Sequence, residues 1–314
     1  MSNGGSGDIR PSRNQQSKNQ RREEARDKAR ALREQHRKRE RRNKYLLQGG
    51  LIVAALAIVA VVTVVITSSI RPPAPGPLNM LSDGIVIGTG FEAETTPALQ
   101  AGEDPIDSTP VEGSTAIPIQ IWLDYQCPIC GDFEAANAEQ ISTLVEEGIA
   151  TVEIHPVAIL DRASQGTRYS TRSANAAACV ANYAPNDFFD FSALLLAGQP
   201  EENTEGLTDD DLIGIAEAAG VSSASSVEDC ITDIRFENWV ADATDRATSD
   251  EALLNPADNS FGTPTVFVGG ARYTGAPDDA TEFAKFVAAA DGAAFQESTA
   301  SPSPSPSATP TPAG

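Results

Sequence analysis

The chain has 314 residues, four cysteines and a net charge of −21, split unevenly. Residues 1–44 hold 15 Lys/Arg against 6 Asp/Glu, so residues 71–314 carry about −30. An acidic bulk of that size argues against nucleic-acid binding, which needs Lys and Arg clustered against phosphates.

Residues 1–20 are rich in Gly, Ser, Asn and Gln and lack the apolar content of a packed core. Arg21–Lys44 mixes dense charge with Ala and Leu, the pattern of a solvated or lipid-facing helix. A role as topology signal explains this basic segment more simply than headgroup binding does. Tyr45–Ile70 has no charged residue, and Leu51–Ile66 is almost all Leu, Ile, Val and Ala. That exceeds the roughly 20 apolar residues a bilayer core requires. With Arg41, Arg42 and Lys44 before it, the positive-inside rule places residues 1–44 in the cytoplasm and residues 71–314 outside the cell membrane. A cleaved signal peptide fits less well, since the leader is long and no clear Ala-x-Ala site precedes Arg71-Pro72-Pro73.

Arg71–Leu78 holds four Pro and reads as a stiff spacer, Gly84–Gly90 as a short strand, and Thr95–Glu112 as loop. Together 71–116 is expected to be an extracytoplasmic linker, with the compact domain at 117–290. Ile117–Leu123 is a β-branched apolar run, hence a strand. A helix is predicted over Pro128–Glu147, stopped by Gly148, followed by a strand over Thr151–Val157. From about 170 to 250 the chain is Ala-rich and helical, with Thr208/Asp211 and Ser226/Asp229 resembling capping boxes. Strands return at Thr265–Val268 and Ala271–Tyr273, and a last helix spans about Asp279–Ala290. Residues 291–314 are expected to be a Ser/Thr/Pro-rich disordered tail. The predicted class is α/β in the order β-α-β, helical insertion, β-β-α, with an N-terminal transmembrane helix.

All four cysteines lie on the outer side, where an oxidising compartment permits disulfides. Cys127-Pro128-Ile129-Cys130 could be a redox dithiol, half of a zinc site or a local bridge. Cys179 and Cys230 stand singly, 49 and 100 residues beyond Cys130, so no four-ligand zinc spacing exists and no metal is expected. The pair follows a strand and opens a helix, where free backbone N–H groups and the helix dipole favour a thiolate. Pro128 suits the first turn, and Cys130 can resolve a mixed disulfide formed at Cys127. Exchange needs an accessible Cys127 and a more sheltered Cys130.

Asp124-Tyr125-Gln126-Cys127-Pro128-Ile129-Cys130-Gly131-Asp132-Phe133 resembles the active-site stretch of DsbA-like thioredoxin-fold proteins. Gly262-Thr263-Pro264-Thr265-Val266-Phe267-Val268-Gly269-Gly270 is similar to their Thr-Pro motif. Tyr169–Ala176, Leu195–Pro200 and Leu207–Val221 resemble the helical insertion of membrane-anchored bacterial members. The resemblance covers about 117–290. It implies a cis bond before Pro264, a wall of Thr263 and Pro264 opposite Cys127, and a substrate-binding surface that includes Pro128 and Ile129. It also implies thiol-containing substrate proteins, no bound cofactor, and reoxidation by a quinone-linked membrane protein of the DsbB or VKOR type.

Two departures bear on direction. The best-known oxidases of this family carry His where Ile129 stands, which leaves the helix end alone to hold the charge and implies a higher Cys127 pKa. At Ile121 relatives often keep a buried acid for proton transfer; Asp124 and Glu134 are the nearby carboxylates, and neither is assigned that role. Cys179 and Cys230, in different predicted helices, fit a structural bridge better than a second relay, with two free thiols the remaining alternative. Oxidation of substrate thiols is the leading reading. A reductase or isomerase, or a non-enzymatic membrane-tethered binding module, is the alternative.

Overall fold

The computed structural model describes residues 74–108 and 114–299, with side chains to 290, and most of 21–39. Met1–Pro72 and Pro73–Gly314 form separate units. In the first, the described residues between 21 and 39 are helical. The expected anchor at 45–70 lies outside the described residues, as do 40–44 and 300–314. Among the described residues, no helix is long and apolar enough to cross a membrane.

The second unit is built on a central strand. In β2 (Ile117–Leu123) every second side chain is apolar, and Ile117, Ile119, Ile121 and Leu123 are buried on one face. Pro118 cannot donate to a ladder. On the side facing the strand Thr265–Val268 it lies just beyond the end of the pairing, and its carbonyl accepts from Gly269 N–H at 2.9 Å. α1 (Pro128–Glu146) carries the chain to β3 (Ala150–Pro156), which runs parallel to β2 from Ile117 opposite Ala150 to Leu123 opposite Pro156. Gly148 at φ +72° ends α1, with Ile149 N–H returning to Leu144 O and Gly148 N–H to Val145 O.

Five helices follow: α2 (Tyr169–Tyr183), α3 (Phe188–Ala197), α4 (Asp209–Ala218), α5 (Ala224–Thr232) and α6 (Glu237–Ser249). β4 (Thr265–Val268) then pairs antiparallel with β2, setting Ile121 opposite Val266, and β5 (Ala271–Arg272) lies beyond it. The closing helix α7 (Ala280–Thr299) packs on α1, with Phe283 edge-on to Phe133 at 5.3 Å between ring centroids.

Three expectations are corrected. Residues 71–116 are more than a linker: Ile85–Ile87 forms β1, antiparallel to β3, giving the sheet order β1-β3-β2-β4-β5. Polar contacts fasten this segment. Asp83 accepts from Arg246 Nε at 2.6 Å, Arg246 Nη2 at 2.7 Å and Trp239 Nε1 at 3.1 Å. Ser82 and Ser108 donate to buried Glu153. The tail begins later than 291, because α7 runs to Thr299. Thr208 and Asp211 form the reciprocal box at the start of α4, but Ser226 and Asp229 lie inside α5, whose N-cap is Ser223.

α2 is buried along nearly its whole length, which its Ala and Ser residues permit by allowing close packing. Cys179 on α2 and Cys230 on α5 are joined by a disulfide, with Cα atoms 5.8 Å apart. The helical insertion is thus tied within itself.

Candidate active site

Four residues connect β2 to α1, and the three before Cys127 are each tied down. Asp124 is fully buried and acts as a brace: its carboxylate accepts from Gln126 N–H at 2.9 Å, Ile159 N–H at 2.8 Å and Leu160 N–H at 2.9 Å. Burial pushes its pKa up to about 6, with the backbone donors pulling the other way. Tyr125 shares a hydrogen bond with Ser192 of α3. Gln126 donates to Ala163 O at 3.0 Å and accepts from Ser170 of α2 at 3.3 Å.

Cys127 is the N-cap of α1, with Pro128 in the first turn. Its carbonyl accepts from Cys130 N–H at 3.0 Å and Gly131 N–H at 3.2 Å. From the loop after α3, Gln199 Nε2 donates to the carbonyls of both Tyr125 and Cys127, each at 2.9 Å. The opposite wall is Thr263–Pro264, whose peptide bond is cis, and the Cys127 thiol donates to Thr263 O at 3.2 Å. Ile129 projects outward, 49% exposed.

Both active-site cysteines are free thiols. The expected contrast in access is small, since Cys127 is 6% exposed and Cys130 2%. The contrast in ionisation is large. Cys127 is lowered from an ordinary 9.0 to about 6, chiefly by a hydrogen bond from the Cys130 thiol. Partial burial opposes that shift, and Thr263 and the N–H groups of Cys130 and Ile129 add to it. Burial and the neighbouring Cys127 drive Cys130 well above its ordinary value. The helix end is therefore not alone in holding the charge at Cys127; its own partner cysteine does more. The Thr263 side chain, buried beside the dithiol, also lowers both thiols.

The structure thus brings Cys127, Pro128, Ile129, Cys130, Thr263 and Pro264 into one site, and keeps Cys179 and Cys230 apart from it as a buried bridge. Among the described residues, no cluster of three or more His, Cys, Asp or Glu could hold a metal ion. Ile121 lies on the apolar core face of β2. Glu134, the other nearby carboxylate, is raised by burial.

The family model described as Thioredoxin matches residues 108–289, more than half of the chain. The chain belongs to the thioredoxin family. Its fold is the α/β arrangement of that family, with the dithiol at the junction of central strand and first helix.

Among curated proteins, this thioredoxin-family chain is 31% identical over 163 residues to the serine/threonine-protein kinase PknE of Mycobacterium tuberculosis, covering 50% of this chain and 28% of the kinase. PknE of Mycobacterium bovis matches equally. The chain thus spans well under a third of the length of the curated relatives it matches. Oxidised DsbA of Mycobacterium tuberculosis is similar at 27% identity over 66% of this chain and 99% of that chain, with a TM-score of 0.45. Reduced DsbG of the same organism, a disulfide bond oxidoreductase, is similar at 27% identity over 69% and 95%, with a TM-score of 0.47. MdbA of Corynebacterium diphtheriae, a thiol-disulfide oxidoreductase, stands at 18% identity over 70% and 95%, with a TM-score of 0.49.

One contributor had no signal of its own in the sequence. Gln199 lies within Leu195–Pro200, a stretch similar to the family's insertion, but nothing in its residue type announces a bond to a loop more than seventy residues upstream.

Proposed function

We propose that this chain catalyses thiol–disulfide exchange outside the cell membrane, oxidising the thiols of substrate proteins through the Cys127/Cys130 couple. The observation that carries this reading is the placement of a free dithiol at a helix N-terminus, with the Cys127 thiol 3.2 Å from Thr263 O on the facing wall; the opposed shifts of the two thiols, Cys127 to about 6 and Cys130 upward, agree with it. In the oxidised enzyme a substrate thiolate attacks Cys127 Sγ, and Cys130 leaves and takes up a proton. A second substrate thiolate then attacks the substrate sulfur of the mixed disulfide. Cys127 leaves as a stabilised thiolate, and its low pKa speeds that departure. Two electrons pass from the substrate dithiol to the enzyme, which ends as the reduced pair.

The uncharged Tyr45–Ile70 segment, with basic residues before it, supports a single-pass anchor that holds the domain on the outer side. A quinone-linked membrane oxidase of the DsbB or VKOR type would return the couple to the disulfide. Family membership and the position of all four cysteines after the apolar segment support these assignments.

The deciding experiment has two parts. Cys127→Ser is expected to abolish exchange with a dithiol peptide, and persistent exchange would refute the enzyme. The reduction potential of the couple then fixes direction: a value near the thioredoxin end of the range, about −270 mV, refutes the oxidase in favour of a reductase.

A further inference from the structure

Gln199 reaches into the dithiol site from outside the strand–helix unit that carries it. The residue sits one position past the Gly198 C-cap of α3, with its N–H on Leu196 O at 3.2 Å and Pro200 behind it. Phe191 and Leu195 bury α3 in the core, so the position of Gln199 is set by the helical insertion. Its amide nitrogen has two hydrogens and two acceptors, the carbonyls of Tyr125 and Cys127, both at 2.9 Å.

Gly131 faces the same amide. A Cβ built there would lie 2.8 Å from Gln199 Oε1, so α1 leaves open the space that the side chain enters. Glycine inside a helix has a conformational cost relative to alanine. A close approach at this position gives that glycine a purpose. Two residues far apart in sequence therefore meet at one contact.

We propose that Gln199 is a positioning residue of the dithiol, gripping the Tyr125 and Cys127 carbonyls so that the Cys127 side chain stays aligned with Cys130, the α1 N-terminus and Thr263. It does not touch the reacting sulfur. This rests on the exchange reading above and deepens it, because the part of the chain that differs most from a bare thioredoxin core becomes a support of the nucleophile. Every group that lowers Cys127 does so through one orientation of this turn. A turn released from Gln199 samples orientations in which those donors are lost.

The test compares the reduced full chain with Gln199→Met, which keeps the bulk and removes both donors, and with Gly131→Ala, whose methyl displaces the amide. The readouts are the thiolate absorbance of Cys127 against pH and the thermal unfolding temperature. Gln199→Met is expected to move the Cys127 titration upward from about 6 by about one unit, a tenfold loss of thiolate well below the midpoint. Gly131→Ala should move it in the same direction although alanine strengthens the helix, a combination that simple loss of stability does not produce. The double variant should shift no further than Gln199→Met alone. Either single variant titrating at the wild-type position, or shifts that add in the double variant, would overturn the proposal. Should Gln199→Met fail to fold, the Gly131→Ala titration decides by itself. The titration needs no substrate, so absence of exchange in the wild type would sink the proposed function and leave this result standing.

Discussion

Replacing Cys130 with Ala tests the origin of the Cys127 thiolate. The largest contribution lowering Cys127 is the hydrogen bond from the Cys130 thiol, ahead of Thr263 and the helix N–H groups. A hydrogen bond to a charged partner contributes about 1.5–3 kcal/mol, or about one to two pKa units at 1.36 kcal/mol each. The Cys127 titration should therefore rise from about 6 to about 7–8 in Cys130→Ala. At neutral pH the thiolate fraction would fall from about nine-tenths to between one-half and one-tenth. With Cys179 and Cys230 bridged, the variant has a single free thiol, and the rate of its alkylation against pH reads that fraction directly. Cys130→Ser, which keeps a donor in place, should recover most of the shift. An inflection that stays at about 6 in Cys130→Ala would refute the reasoning and return the charge to the helix end and Thr263.

Ile129→His places a further donor near Cys127 at a position 49% exposed. It should lower the Cys127 titration further and raise the reduction potential by about 30 mV per unit; an unchanged potential would show that the imidazole does not reach the thiolate. Replacing both Cys179 and Cys230 by Ala opens a loop of 51 residues, expected to lose about 4 kcal/mol in denaturant unfolding while leaving the Cys127 titration in place. Glu153 and Asp124 give opposite pH limbs. Burial alone would raise Glu153, but the neighbouring His155, with Nε2 3.4 Å from its carboxylate, and the hydrogen bonds from Ser108 and Ser82 hold it near 2, so its stabilisation is present above 4.5 and lost as pH falls through about 2. Asp124 is raised from 3.8 to about 6, so its share is full below 3.8 and lost as pH rises through about 6. Glu153→Gln should remove an acid limb of about 3 kcal/mol and leave the Asp124 limb intact, as followed by denaturant unfolding at several pH values; an unaltered acid limb would refute the assignment.

Local signals carried far into this fold. The alternation in Ile117–Leu123, Pro128 at the start of α1, Gly148 at its end and the Thr208/Asp211 box are each set by neighbours a few residues away, and each stands where its residues indicate. What the sequence hid was joined across long separations. Gly84–Gly90 reads as a short strand, of which Ile85–Ile87 forms one, but its place beside β3 comes with Asp83 meeting Arg246, 163 positions on. Ser226 and Asp229 have the spacing of a cap yet lie within α5, which begins at Ala224 and holds Cys230 against Cys179. The small difference in exposure between the two active-site thiols likewise has a distant cause. Thr263, 136 residues downstream, covers Cys127, and no local pattern around Cys127 reports it.

The opposed thiols also bear on the direction of the proposed reaction. Once a substrate is joined to Cys127, the mixed disulfide can be resolved by Cys130 or by the second substrate thiol. Cys130 is 2% exposed, and burial, the largest cause of its raised pKa, persists in the mixed disulfide and makes it the weaker nucleophile. A substrate cysteine with an ordinary pKa of about 8.5 offers more thiolate and displaces Cys127, the better leaving group. On the proposed oxidase reading, partition would then favour release of an oxidised substrate over return to the starting disulfide. The same asymmetry slows the reverse reaction at its last step, because reducing a substrate disulfide requires Cys130 to attack. Ile129 in place of histidine weakens this bias without removing it, since the Cys130 hydrogen bond, Thr263 and the helix N–H groups still hold Cys127 low.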